Sequence, residues 1–215
     1  MNPDLERRRL LRGRSSSPRP ALFLDRDGVL IEDRNYLKDP AKVQLIKGAR
    51  TLLEIANSLD WPVVLVTNQS GIARGYFNWN DYDLVTERML ECLGPKAILA
   101  GIYANGHGPK ASAKSWRKPS PGMLFAAAKE LNLDLHKSIL VGDRLSDMQA
   151  GARANLRQVV HVLSAHGNKE RAQVKKRIDQ NKQFTGELNQ PLILLLNTLA
   201  NFPLFLLRSS AKFSA

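Results

Sequence analysis

A single cysteine, Cys92, among 215 residues excludes an internal disulfide and leaves no cysteine pair for a metal knuckle or a redox centre. A reducing cytoplasm is the simplest compartment for such a chain. Long apolar runs are missing too. The most apolar stretch, Leu192 to Leu207, is interrupted by Asn197, Asn201 and Pro203 and is too short for a membrane span. It reads instead as a final strand and helix closing a sheet. The first twenty residues have no apolar core, which predicts no secretory signal. Their Arg7, Arg8, Arg9, Arg12 and Arg14 with Ser15, Ser16 and Ser17 resemble a transit peptide in composition, but Asp4, Glu6 and the brevity of the segment speak for a disordered basic tail. Aromatic residues make up only 7%, and no aromatic-rich basic platform for stacking bases is evident. Acidic residues are scarce, 20 against 32 basic ones, for a formal charge of +12. The excess gathers in the N-terminal segment, in Lys110 to Lys118 and in Lys169 to Lys182. The two outer clusters read as solvated surface charge. The middle one can steer a dianion.

The chemistry lies at the ends of four short segments. Ala21-Leu22-Phe23-Leu24 is a buried-strand pattern that stops in Asp25-Arg26-Asp27-Gly28, two carboxylates at the strand end where an α/β sheet puts its active site. Gly28 lets the chain turn away without a Cβ. An aspartate pair so placed suits phosphoryl transfer through an aspartyl-phosphate, with a magnesium ion offsetting the charge repulsion. Val63-Val64-Leu65-Val66 ends in Thr67-Asn68-Gln69-Ser70-Gly71, which supplies a hydroxyl and amides for phosphoryl oxygens. Arg117-Lys118-Pro119 places two cations before a helix opened by proline. Ser138-Ile139-Leu140-Val141 ends in Gly142-Asp143-Arg144-Leu145-Ser146-Asp147, a further acidic strand terminus. Each turn alone is commonplace. Together, in this order, they make a full inventory for phosphate monoester hydrolysis.

With these four motifs the sequence resembles the haloacid dehalogenase (HAD) superfamily of phosphohydrolases, within it the branch of histidinol-phosphate and D,D-heptose 1,7-bisphosphate phosphatases. Phe23 to Gly28, Thr67 to Gly75, Arg117 to Met123 and Val141 to Ala150 carry the likeness to the heptose enzymes. The resemblance implies Asp25 as nucleophile and Asp27 as general acid and base, with Thr67 and Lys118 binding the transferred phosphoryl group. It implies magnesium held by Asp25, the Asp27 carbonyl and Asp143. It further implies substrate contacts from Asp33, Arg34, Asn35 and Tyr36, from Asn68, Gln69 and Ser70, and from Arg117 and Arg144. Asp147 reads as an acid that orients Lys118 or nearby backbone. Many members of this branch carry a zinc loop of paired cysteines and a histidine before the Arg-Lys-Pro segment. Here that stretch offers only His107, so no zinc is expected.

The implied activity is removal of a phosphate from a sugar bisphosphate, D,D-heptose 1,7-bisphosphate giving the 1-phosphate. Histidinol-phosphate phosphatase and polynucleotide 3′-phosphatase are the alternatives, and a non-catalytic basic binding protein is a remote one. Nucleic acid is not the favoured partner, and a monomer is favoured. Alternating strand and helix patterns predict a three-layered α/β/α sandwich with a mostly parallel sheet, a HAD-like, Rossmannoid fold. Helices are expected over 49–58, 81–93 (capped at Asn80 or Asp81), 121–131 and 146–154, with strands at 97–103 and 159–163. Lys169 to Lys182 reads as an exposed helix or an insertion. The gaps between motifs are too short for a large cap domain. The expected organisation is a basic tail over 1–20, one domain over 21–207 and a C-terminal tail over 208–215.

Overall fold

The computed structural model describes residues 5–183 and 191–208. Twelve elements follow in chain order: β1 (Glu6–Leu10), β2 (Leu22–Leu24), α1 (Ala49–Ser58), β3 (Val63–Asn68), α2 (Trp79–Leu93), β4 (Gly101–Asn105), α3 (Gly122–Leu131), β5 (Ile139–Gly142), α4 (Leu145–Arg153), β6 (Gln158–Val162), α5 (Ala165–Gln183) and β7 (Leu192–Leu196). They build one seven-stranded sheet in the order β1-β4-β3-β2-β5-β6-β7, parallel throughout except for the antiparallel edge strand β1.

Alternation along the buried strands makes the three layers. Leu22, Leu24, Val63, Leu65, Ile139 and Val141 face a core shared with Leu52, Leu53 and Ala56 of α1 and Val85, Met89 and Leu93 of α2. Their neighbours Phe23, Val64, Val66 and Leu140 face the other side, against Met123, Leu124 and Ala127 of α3, Met148 of α4 and Val174 of α5. The chain thus forms the expected α/β/α sandwich. Its first parallel strand, β2, lies between β3 and β5. The chain runs outward through β3 and β4 and then returns to β5 on the other side, and this reversal opens a crevice at the carboxyl end of β2. No cap domain stands over that crevice among the described residues.

The basic N-terminal segment departs from expectation: Glu6–Leu10 is a strand, not part of a disordered tail. Its side chains alternate between two acidic helix faces. Arg7 pairs with Asp83 at 2.6 Å and Arg9 with Glu87, acids one turn apart on α2, whereas Arg8 points to Glu130 on α3. Backbone pairing with β4 and this matched charge hold a run with almost no apolar content. Beyond the strand the chain follows the end of α3, with Ser15 N donating to Leu131 O and Arg19 bridging to Leu133. Residues 1–4 and the tail from 209 onward lie outside the described residues.

Other boundaries moved for local reasons. Helix α2 starts earlier because Asn78 is its cap, accepting from Asn80 N and Asp81 N while Asp81 accepts from Asn78 N. Strand β4 starts at Gly101, where it comes into register with Val64 of β3. After β7 the expected terminal helix is two 3-10 turns, Leu199–Asn201 and Leu204–Leu207, separated by Phe202 and Pro203. No helix among the described residues is long and apolar enough to cross a membrane.

Candidate active site

Four strand-end segments converge at the crevice. Asp25 follows β2, its N–H bonded to Val141 O of β5, so its carboxylate projects between the two strands. One oxygen, Oδ1, accepts from Arg26 N; the other, Oδ2, lies 3.0 Å from Lys118 Nζ. Lys118 is almost completely buried, and its ammonium also meets Asp147 Oδ1 at 2.7 Å and Val66 O at 2.8 Å. Asp147 further accepts from Arg144 N at the start of α4. It packs so closely on Gly142 that a Cβ there would overlap its carboxylate. The expectation that Asp147 orients Lys118 matches this geometry.

Asp143 completes the cluster. It is fully buried; Oδ2 accepts from Ser164 Oγ at 2.8 Å, and Oδ1 has no hydrogen-bond partner among the described residues. Gly28, at φ +84°, passes directly over it, and a Cβ at that position would overlap Asp143 Oδ2. Carboxylate oxygens of Asp25, Asp143 and Asp147 lie within 4.8 Å of one another. Burial is the main cause that pushes Asp25 up to about 6, Lys118 opposing and Asp147 adding to the rise. Burial, then Asp147 and Asp25, pushes Asp143 up to about 8. For Lys118, burial works against the charged form, but Asp147 and Asp25 outweigh it and hold the ammonium above its ordinary value. An orphaned buried carboxylate oxygen beside a second carboxylate is a fitting donor set for a hard divalent cation.

Around this centre the structure sorts the remaining expected residues. Asp27 is clamped. Arg26 donates to it through Nε (3.1 Å) and Nη2 (3.2 Å), and Gln69 Nε2 donates at 2.8 Å. Gln69 also donates to Thr67 Oγ1 and accepts from Arg26, so its amide is used entirely within the protein. Asn68 is likewise engaged, accepting from Lys118 N and donating to Lys118 O. Thr67 is buried near the end of β3, its hydroxyl oxygen accepting from Gln69. Asp33, Asn35, Tyr36, Ser70, Arg117 and Arg144 line a cavity of about 560 Å³ with Asp25, Asp27 and Lys118. Arg34 does not; its guanidinium turns to Glu32 and Gln44 instead. Asn35 and Tyr36 both take left-handed backbone, a tight bend that brings Tyr36 onto Tyr76.

Five contributors escaped sequence reasoning. Arg26 is buried over the Tyr82 ring and holds Asp27. Arg74 reaches the cavity from the loop after β3, and its charge, with that of Arg144, adds to burial in lowering Arg117. Ser164, His166 and Glu170 come from the start of α5. His166 pairs with Asp33 at 2.7 Å, and Glu170 accepts from Leu145 N. Their signal was the Ser-Ala-His run directly after a buried strand, the same strand-end logic that found the other motifs.

Comparison with known proteins gives this geometry a lineage. The family description HAD-hydrolase-like matches residues 115–189. The D-glycero-beta-D-manno-heptose-1,7-bisphosphate 7-phosphatase of Escherichia coli strain K12 is 35% identical over 191 residues, covering 86% of this chain and 92% of that protein. The enzyme of the same name from Mesorhizobium japonicum is 47% identical over 146 residues, 65% of this chain and 67% of its own. The chain belongs to this family of HAD-like phosphatases. The crystal structure of the D,D-heptose 1,7-bisphosphate phosphatase of B. bronchiseptica, complexed with magnesium and phosphate, superposes with a TM-score of 0.70 at 31% identity, covering 84% of this chain and 94% of that one. In this HAD-like phosphatase, Asp25, Asp27 and Asp143 lie at the carboxyl ends of central strands, and the buried Lys118 reaches them from the segment before α3.

Proposed function

We propose that the protein hydrolyses the 7-phosphate of D-glycero-D-manno-heptose 1,7-bisphosphate through an aspartyl-phosphate on Asp25. The observation that carries this reading is the Asp25 carboxylate, buried at the mouth of the central strand and held against Lys118, in a chain of this family. In the proposed mechanism, Asp25 Oδ attacks phosphorus while Asp27 gives its proton to the departing 7-alkoxide. Asp27 then takes a proton from the water that opens the acyl-phosphate, and Asp25 is restored. The clamp of Arg26 and Gln69 fixes the direction of the Asp27 carboxyl for both transfers. Thr67 and Lys118 bind the phosphoryl oxygens, worth most at the loose transition state. Magnesium would be held by Asp25, Asp143 and the Asp27 carbonyl, and would supply neutralisation of the charge that gathers there. Asp33, Asn35, Tyr36, Ser70, Arg74, Arg117 and Arg144 surround the sugar end in a cavity of suitable volume for it. One free cysteine suits a cytoplasmic enzyme.

A three-substrate comparison tests the reading. Phosphate release with magnesium is expected to favour the heptose bisphosphate over histidinol phosphate, and over a 3′-phosphorylated oligonucleotide, by about tenfold or more in kcat/KM, the scale of one or two good polar contacts. Preference for the oligonucleotide, with steep salt dependence, would replace it with nucleic-acid end processing.

The carboxylate cluster also predicts a pH effect on stability. Asp25 and Asp143 have native values of about 6 and about 8, both above the ordinary 3.8, so the folded protein keeps protons that the unfolded chain has released. Metal-free stability therefore declines as pH climbs from about 4 through 8. Magnesium competes with those protons. Its addition should raise the melting temperature more at pH 8 than at pH 5, by thermal denaturation. An equal rise at both would contradict the assignment of the site.

A further inference from the structure

The segment between β4 and the Arg117-Lys118 pair has no regular secondary structure, yet it leads into Arg117 and lines the cavity through Pro109. Its order comes from the start of β1. Gly106 N donates to Leu5 O at 2.7 Å, and Trp116 N donates to Glu6 Oε1 at 2.7 Å. Two adjacent residues, Leu5 and Glu6 at the start of β1, thus grip both ends of loop 106–116. His107 Nε2 stands 3.5 Å from the same Glu6 oxygen, and His107 O accepts from Arg117 Nη1 at 3.0 Å. Glu6 is therefore linked to the Arg117 segment through the Trp116 backbone, while His107, whose carbonyl holds the Arg117 guanidinium, stands beside the same carboxylate.

We infer that Glu6 is a positioning residue for substrate recognition: its carboxylate clasps loop 106–116 and so sets the place of Arg117 in the cavity. The inference rests on the reading of Arg117 as a substrate contact. Glu6 itself lies outside the cavity lining, and β1 is held independently by the Arg7, Arg8 and Arg9 ion pairs, so its loss should loosen the loop without releasing the strand. A loop of this length without a clasp regains backbone freedom that binding must then remove, which appears as weaker binding and not as slower chemistry.

The test compares Glu6→Ala and Glu6→Gln in the full chain. Lys110 and Lys114 are exposed within the loop and report its opening as tryptic cleavage. For Glu6→Ala, KM for heptose bisphosphate should rise about five- to tenfold with kcat within about twofold, the signature of lost uniform binding. Trypsin should cut after Lys110 or Lys114 several-fold faster, with the melting transition retained. Glu6→Gln, whose amide oxygen can still accept from Trp116 N, should restore both readings. Wild-type KM and cleavage in Glu6→Ala, a fall in kcat in place of the KM change, or a glutamine variant no better than alanine would overturn the inference. If the wild-type protein leaves heptose bisphosphate untouched, the functional reading fails, while the cleavage rates still decide whether Glu6 holds the loop.

Discussion

Asp25→Asn should abolish turnover and at the same time stabilise the metal-free protein near pH 8. An amide oxygen is a far weaker nucleophile than a carboxylate and makes no stable acyl-phosphate, so the loss in kcat is expected to be on the order of 10⁴-fold or more. The stability change has the opposite sign. Burial and the neighbouring aspartates raise Asp25 to about 6, so its ionised form costs the folded state free energy that grows as pH passes from about 4 through 6. Asparagine has the same shape and no charge to desolvate. Lys118 retains Asp147 at 2.7 Å, so no cation is stranded by the change. Phosphate release and thermal melting on the same preparation check both halves. Full activity would end the aspartyl-phosphate proposal, and a fall in melting temperature at pH 8 would show that the carboxylate holds the cluster together instead of straining it. Such opposition between activity and stability is expected where a site concentrates like charges.

The strand-end motifs were legible because central parallel strands are buried on both faces. Ala21 to Leu24, Val63 to Val66 and Ser138 to Val141 read as near-continuous apolar runs, and each run ends where polar chemistry begins. Strand β1 was illegible for the converse reason. Its pattern, Glu-Arg-Arg-Arg-Leu, looks like solvated charge until Asp83, Glu87 and Glu130 are brought beside it, and those acids lie more than seventy residues away.

Within the site, residue type proved easier to read than side-chain direction. Asn68 and Gln69 line the cavity as their place after Thr67 suggests, but their amides are also engaged within the protein, one bracketing the Lys118 backbone and the other joining Asp27, Thr67 and Arg26. Arg34 neighbours three cavity residues and turns away from them, toward Glu32. Arg26 carries no sequence signal of its role, since an arginine is rarely buried; here its charge is directed to Asp27 and the face of Tyr82. His161 shows the limit of the same logic in reverse. It is a buried strand-end histidine, pushed down to about 4 by burial and then by Arg171, and no described cavity includes it.

Lys118→Met is the complementary experiment, since it removes the only cation in contact with the carboxylates of Asp25 and Asp147 among the described residues. Methionine fills much of the same volume, so the packing loss is small and the electrostatic loss stands out. Three buried aspartates within 4.8 Å are then left to one another. Breaking a buried ion pair from one side typically costs about 3–5 kcal/mol, or roughly ten degrees in melting temperature for a domain of this size. The cost must depend on pH. Without the ammonium, Asp25 loses the charge that opposes its upward shift and takes up a proton more readily in the folded state, so the deficit is largest near pH 8 and shrinks toward pH 5. Magnesium at pH 8 should return part of the stability, because a cation at the cluster replaces some of the lost charge. Activity should not return with it. Nζ also meets the phosphoryl oxygens in the proposed transition state, and loss of one such donor costs on the order of 10²- to 10³-fold in kcat. Melting curves at pH 5 and pH 8, with and without magnesium, separate the two roles. A deficit that is equal at both pH values would mean that Lys118 acts through packing and through its bond to Val66 O, not through the charge of its neighbours.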